Sequence, residues 1–156
     1  MTTHRSEPLQ VLFVCTRNAG RSQIAAAFFN DLADPRKVRA ISAGLDPAPR
    51  VCPEVVAAMA EVGIDLADVT PTELTGRMQT EVTFLVTMGC PERCPMIGQG
   101  RRADWKLDDP EGQPMSRVRE IRDEIRGLVA ALITAKAWGR ETTDDRRGTS
   151  PNLSSV

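Results

Sequence analysis

The sequence predicts an α/β fold: an open, four-stranded parallel sheet flanked by helices. Three observations carry this expectation. Short apolar, β-branched runs alternate along the chain with segments of helical period. Those runs are apolar at consecutive positions, as in strands buried on both faces. The residues able to do chemistry follow the carboxyl ends of the runs, the edge at which open α/β sheets bind ligands.

The elements follow in order. LQVLFVC (9–15) is a short buried strand. Residues 21–33 form a helix, with Ile24, Phe28 and Leu32 at i, i+4 and i+8. VRAISAG (38–44) is a second strand ending at Gly44, and LDPAPR after it is a loop. PEVVAAMAEVG (53–63) has Pro where helices start and Gly where they end. TPTELTGRMQTE (70–81) opens on Thr-Pro and is expected to be another short helix, and VTFLVTM (82–88) is the third strand. ADWKL (103–107) is a weaker fourth strand, and DDPEGQP (108–114) is a loop by composition. Residues 116–134 give the strongest helix, with Val118, Ile121, Ile125, Leu128 and Leu132 as its apolar stripe. Residues 1–8 are expected to be a flexible tail and 9–137 a single catalytic domain. Residues 138–156, polar and rich in Ser, Thr, Arg and Asp, are expected to be disordered.

Composition narrows the function. A chain of 156 residues suits one domain, large enough to bury about 68–70% of the surface its unfolded form exposes. Twenty basic and 21 acidic side chains leave a net charge of −1, which argues against nucleic acid or an anionic membrane as partner but permits a local positive pocket. No apolar run approaches the ~18–20 residues that cross a bilayer, and the first ten residues have no apolar signal core. A cytoplasmic protein is therefore expected. Thiols stay reduced there, so Cys15, Cys52, Cys90 and Cys94 point to catalysis, redox chemistry or burial rather than a disulfide framework. With one histidine, His4, in a polar tail, Cys–His pairs and His-rich metal sites are removed. No metal and no bound cofactor are expected.

The chemistry concentrates in CTRNAGRS (15–22), where Cys15 ends the first strand and Arg21 opens the first helix. In a loop of this kind the backbone N–H groups of Thr16, Arg17, Asn18, Ala19 and Gly20 are placed to cradle a tetrahedral anion, aided by the helix dipole. Gly20 allows close backbone approach, and Asn18 tolerates a left-handed conformation while its amide braces the loop. Arg21 presents a planar fork to two anion oxygens, whereas Arg17 either flanks the anion or is solvated. The same positive surroundings favour the thiolate of Cys15, the nucleophilic form, and Ser22 is placed to donate a hydrogen bond to it. An attack that expels an oxygen needs a proton donor. LDDPEG offers Asp108, Asp109 and Glu111, and Asp109, fixed by Pro110, is the expected general acid. Cys52 reads as a bystander, and Trp105 and Trp138 as packing residues.

VLFVCTRNAGRSQIA together with the later DDP resembles the low-molecular-weight protein tyrosine phosphatase fold, and within it the arsenate reductases more closely. The resemblance covers roughly residues 9–134. It places Cys15, Asn18, Arg21, Ser22 and Asp109 on that family's nucleophile, loop-bracing, anion-clamping, thiolate-stabilising and general-acid positions. Gln23 stands where the phosphatases usually have Pro. Glu111 and Gly112 stand where they carry aromatic residues, and the chain has no Tyr. Some relatives bind potassium through an acid on the first helix; Ala26 occupies that place, and no cation site is expected.

The resemblance also implies a role for Cys90 and Cys94 in CPERC. After arsenate joins Cys15, a second thiolate attacks the Cys15 sulfur and arsenite leaves. A third thiolate then passes the disulfide to a position that external thioredoxin reaches. The short Cys90–Cys94 spacing keeps a mycothiol- or glutathione-type donor open. A low-molecular-weight acid or tyrosine phosphatase, needing only Cys15, Arg21 and Asp109, is an alternative. An oxyanion- or redox-sensing binding module is another.

Overall fold

The computed structural model describes residues 8–89 and 101–140. Cys90 and Cys94 lie outside the described residues, as do positions 1–7 and 141–156. In chain order the elements are β1 (Leu9–Cys15), α1 (Arg21–Leu32), β2 (Val38–Gly44), α2 (Pro53–Ala60), α3 (Gly76–Glu81), β3 (Phe84–Met88), β4 (Arg102–Trp105) and α4 (Met115–Lys136). The strands make one four-stranded parallel sheet in the order β2-β1-β3-β4. β1 is central, with Val11 beside Ala40 on one flank and Phe84 on the other. The chain leaves β1 first to one side and later to the other. The crevice at this switch point lies at the carboxyl end of β1, where Cys15 sits.

The side-chain alternation of β1 explains the two cores. Val11, Phe13 and Cys15 face the larger one, which contains Ile24, Phe28 and Phe29 of α1, Val55 and Met59 of α2, and Ile121, Ile125 and Val129 of α4. Leu12 and Val14 face a smaller one, closed by Leu74 and Met78. Phe13 and Phe29 are fully buried with their rings 5.8 Å apart, edge to face. Each such burial stabilises the fold by roughly 1.5–3 kcal/mol.

Several details differ from the sequence expectation. The segment 70–75 is not helical: Gly44 and Glu73 form a parallel bridge, the Gly44 N–H donates to Thr72 O, and the Leu74 N–H donates to Gly44 O. Capture of this backbone by the end of β2 delays the helix until Thr75, whose side chain caps the Met78 N–H. β4 ends at Trp105 rather than at 107. On α4 the stripe drifts, so that Val129 and Ile133 are buried while Leu128 and Leu132 lie at its margin.

The packed chain also runs past 137. Ala137 takes a left-handed conformation (φ 57°) as the C-cap of α4, and the Trp138 N–H returns to Ile133 O. This turn drops Trp138 into the core, 5.9 Å from the Phe29 ring and 6.4 Å from that of Phe84. Trp138 packs as expected and binds the end of α4 to the sheet, and the polar composition after it set the expected tail boundary too early.

Candidate active site

Three sheet-edge loops meet over the end of β1. From β1 comes the Cys15–Ser22 loop. Its carbonyls at Thr16, Arg17 and Ala19 accept from the N–H groups of Asp46, Ala48 and Cys52. In a planar trans peptide the next residue's N–H points opposite to the carbonyl. Bonding these carbonyls to the surrounding loops therefore turns the N–H groups of Arg17, Asn18 and Gly20 to the loop's inner side. That concave row beside the first turn of α1 is an anion cradle.

Cys15 is buried at its base, with Sγ 2.9 Å from Ser22 Oγ. Asn18 is fully buried at φ 54°, the left-handed conformation expected of it. Its Nδ2 donates to Ser22 Oγ at 2.7 Å. Its Oδ1 accepts from the Thr72 N–H at 2.7 Å and from Gln23 Nε2 at 3.1 Å. Thr72 and Gln23 are site residues that the sequence reading missed. Thr72 acts through its backbone, which leaves no signature. A Gln at the third position of a helix was the available signal, since that is where capping side chains reach back.

Arg21 binds all three loops together. It is buried, Nη1 donates to Leu107 O at 3.3 Å, and Nη2 is 3.7 Å from Asp109 Oδ2. A Cβ on Gly89, at the end of β3, would collide with Nη1, and the φ of +90° there suits glycine alone. Arg21 Nε is buried with no hydrogen-bond partner among the described residues. A buried, unpaired donor on a guanidinium costs free energy unless a ligand oxygen meets it, so the Arg21 fork fits an oxyanion.

Asp109 is half exposed, and Pro110 rests against Gly20: a Cβ on Gly20 would meet Pro110 Cγ at 3.0 Å. Asp109 Oδ1 accepts from the Glu111 N–H at 3.0 Å, an Asx turn that aims the carboxyl at the pocket. Asp108 turns away to Arg117, 2.6 Å from its Nη2. Arg17 lies on the rim with its Nη1 on Asp46, 3.0 Å from Oδ2 and 2.9 Å from the Asp46 carbonyl, so its charge is already engaged. Among the described residues the pocket so formed is lined by Cys15, Arg17, Ala19, Gly20, Arg21, Cys52, Asp109 and Glu111, none of them aromatic.

Cys52 was expected to stand aside, yet it lines this pocket. Burial and a 3.0 Å hydrogen bond from its thiol to Glu54 push its pKa up to about 12. It remains a thiol, while the other Glu54 oxygen accepts from the Gly112 N–H at 2.9 Å and ties the acid loop to the start of α2.

A buried sulfur under a concave row of N–H groups, an arginine fork and a carboxyl at the mouth are the parts with which cysteine-dependent enzymes act on tetrahedral oxyanions. The chain belongs to the low molecular weight phosphotyrosine protein phosphatase family, which it matches over residues 10–143. Among its relatives, an assigned arsenate reductase of Halobacterium salinarum is 41% identical over 77% of this chain and 87% of its own length. A glutaredoxin arsenate reductase of Synechocystis is 34% identical over 80% of this chain and 95% of its own. Among solved structures, a thioredoxin-dependent arsenate reductase of Corynebacterium glutamicum superposes with a TM-score of 0.72 at 37% identity. That match covers 83% of this chain and 62% of the Corynebacterium chain, so the present chain spans less than two thirds of its length.

Proposed function

We propose that this protein is an arsenate reductase. The observation that carries the proposal is the pocket itself: Cys15, Arg21 and Asp109 converge on a space with no aromatic wall among the described residues. It suits a bare tetrahedral anion better than an aryl phosphate, and relatives at 34–41% identity bear the same activity in their names.

The Cys15 thiolate attacks arsenic(V) bound in the cradle. Ser22 holds the sulfur, Arg21 neutralises the oxygens, and Asp109 gives its proton to the departing oxygen, which leaves as water. In the steps proposed next, the Cys90 thiolate attacks the Cys15 sulfur. A Cys15–Cys90 disulfide forms, the sulfur–arsenic bond breaks, and its electron pair stays on arsenic, which leaves as arsenite. The Cys94 thiolate then attacks Cys90 and frees Cys15, and an external dithiol reduces the Cys90–Cys94 disulfide. Gly89, which abuts Arg21, precedes Cys90 in the sequence.

We assign thioredoxin as the external dithiol, in a cytoplasmic setting. Support comes from the thioredoxin-dependent structural neighbour; the glutaredoxin-named relative marks glutathione with glutaredoxin as the competing donor. The test is arsenite formed by pre-reduced protein, alone and then with each reducing system. One arsenite per protein alone and many with thioredoxin support the full proposal, and turnover with glutathione and glutaredoxin only replaces the donor. Hydrolysis of aryl phosphate without any arsenite formation returns the protein to phosphatase chemistry, for which Cys15, Arg21 and Asp109 suffice.

A further inference from the structure

We infer that Gln23 is a positioning residue that, together with the Thr72 N–H, holds the direction of the hydrogen-bond chain ending on the Cys15 sulfur. The inference rests on Cys15 being the nucleophile and holds whichever oxyanion is bound.

Gln23 Nε2 lies 3.1 Å from Asn18 O and 3.1 Å from Asn18 Oδ1, so both of its amide hydrogens are committed to one residue. The Thr72 N–H donates to the same Oδ1 at 2.7 Å. Two donors on Oδ1 leave the Asn18 amide one orientation, because the reverse would set its NH2 group against both of them. Nδ2 must then face Ser22, and Ser22 Oγ accepts from it at 2.7 Å. Ser22 has a single hydroxyl hydrogen. With its oxygen already accepting from Asn18, that hydrogen is directed along the 2.9 Å contact to Cys15 Sγ.

The polarity of the chain decides the state of the sulfur. A sulfur that receives the Ser22 hydrogen is favoured as thiolate. If Asn18 turned over, its Oδ1 would take the Ser22 hydrogen. Ser22 would then be left as an acceptor, which favours the S–H form. Cys15, Asn18, Ser22 and Gln23 are all buried, where the direction of such a chain is felt most strongly. Gln23 makes no contact with the sulfur and acts only through Asn18 and Ser22.

The test follows the rate of Cys15 alkylation by iodoacetate against pH in the pre-reduced full chain, read on the Cys15 peptide by mass spectrometry. Gln23→Met removes the donors at similar length, and Gln23→Glu presents an acceptor of equal size in their place. Each is expected to slow Cys15 alkylation at neutral pH by roughly tenfold. In a Ser22→Ala background, Gln23→Met is expected to add nothing, which a packing role would not predict. Thermal melts accompany each variant, and the isosteric Glu variant carries the test where the Met variant melts below the assay temperature. Unchanged alkylation rates in the Gln23 variants, with Ser22→Ala slowed, overturn the role of Gln23 alone. An unslowed Ser22→Ala overturns the last link of the chain and the reading of Cys15 with it.

Discussion

In the proposed reaction Ser22 and Asp109 act at opposite ends, and their removal should fail differently. Ser22→Ala takes away a hydrogen bond to a charged sulfur, a loss of about 1.5–3 kcal/mol, and is expected to slow single-turnover adduct formation by about ten- to a hundredfold. Asp109→Asn leaves the thiolate alone and withholds the proton. It is expected to slow adduct formation by about 10²–10⁴-fold while anion affinity holds. Rapid-quench measurement of arsenite release, beside calorimetric anion binding, separates the two. Cys52 gives a third expectation at this scale. Held as a thiol with its pKa near 12, it should resist iodoacetamide at pH 8 while Cys15 is modified. Because its folded pKa is raised, the stability it contributes is full below the ordinary thiol range and is lost as pH rises through about 12. The residues legible in the sequence, Cys15, Asn18, Arg21 and Ser22, share one strand–loop–helix span whose spacing is local. Thr72, Gln23 and Glu54 were not legible. Thr72 and Glu54 meet partners that folding brings to them, through backbone N–H groups that nearly every residue possesses, whereas Gln23 reaches Asn18 within the same span.

At the scale of elements, the ends rather than the bodies were hard to read. All four strands and the four helices stand where periodicity put them, because burial on two faces or one stripe is written in side-chain type. The start of α3 was misplaced because Thr70-Pro71 and Thr75-Gly76 both look like helix entries, and the choice between them is made by Gly44 on another element. The end of α4 offers a test. Ala137 holds a left-handed conformation on the surface, at a cost of roughly 1–2 kcal/mol relative to an unstrained residue. Ala137→Gly is expected to raise stability by up to about 1 kcal/mol in urea unfolding with the midpoint, not the slope, displaced. The converse holds at the end of β3. Gly89→Ala would push a methyl group into the Arg21 guanidinium and strain the backbone by about 1–3 kcal/mol. Weaker anion binding by calorimetry with an intact far-UV spectrum is the expected result.

Across the whole molecule, the helical layer is clamped by charge. Glu61, just past α2, meets Arg119 and Arg122 of α4, and these two guanidiniums hold its pKa down to about 2 from an ordinary 4.5. A depressed carboxylate pKa contributes stability that is present above the unfolded value and lost as pH falls. Acid unfolding should therefore steepen between about pH 4.5 and 2, and Glu61→Gln should flatten that part of the profile when helicity is followed against pH. Topology was legible from the alternation of strands and helices; the clamp was not, since many exposed Glu–Arg pairs are possible and only the packing of α2 on α4 selects this one.

The central position of β1 has a further consequence during synthesis. The strand that carries Cys15 leaves the ribosome first, but it finds β3 only after residue 84 and the carbonyl that anchors Arg21 only after residue 107. At about 5–20 residues per second, the growing chain spends several seconds with its nucleophile made and its cradle unmade. In the proposed reaction, reactivity toward oxyanions is thus a late property of the nascent polypeptide, waiting on the carbonyl of Leu107.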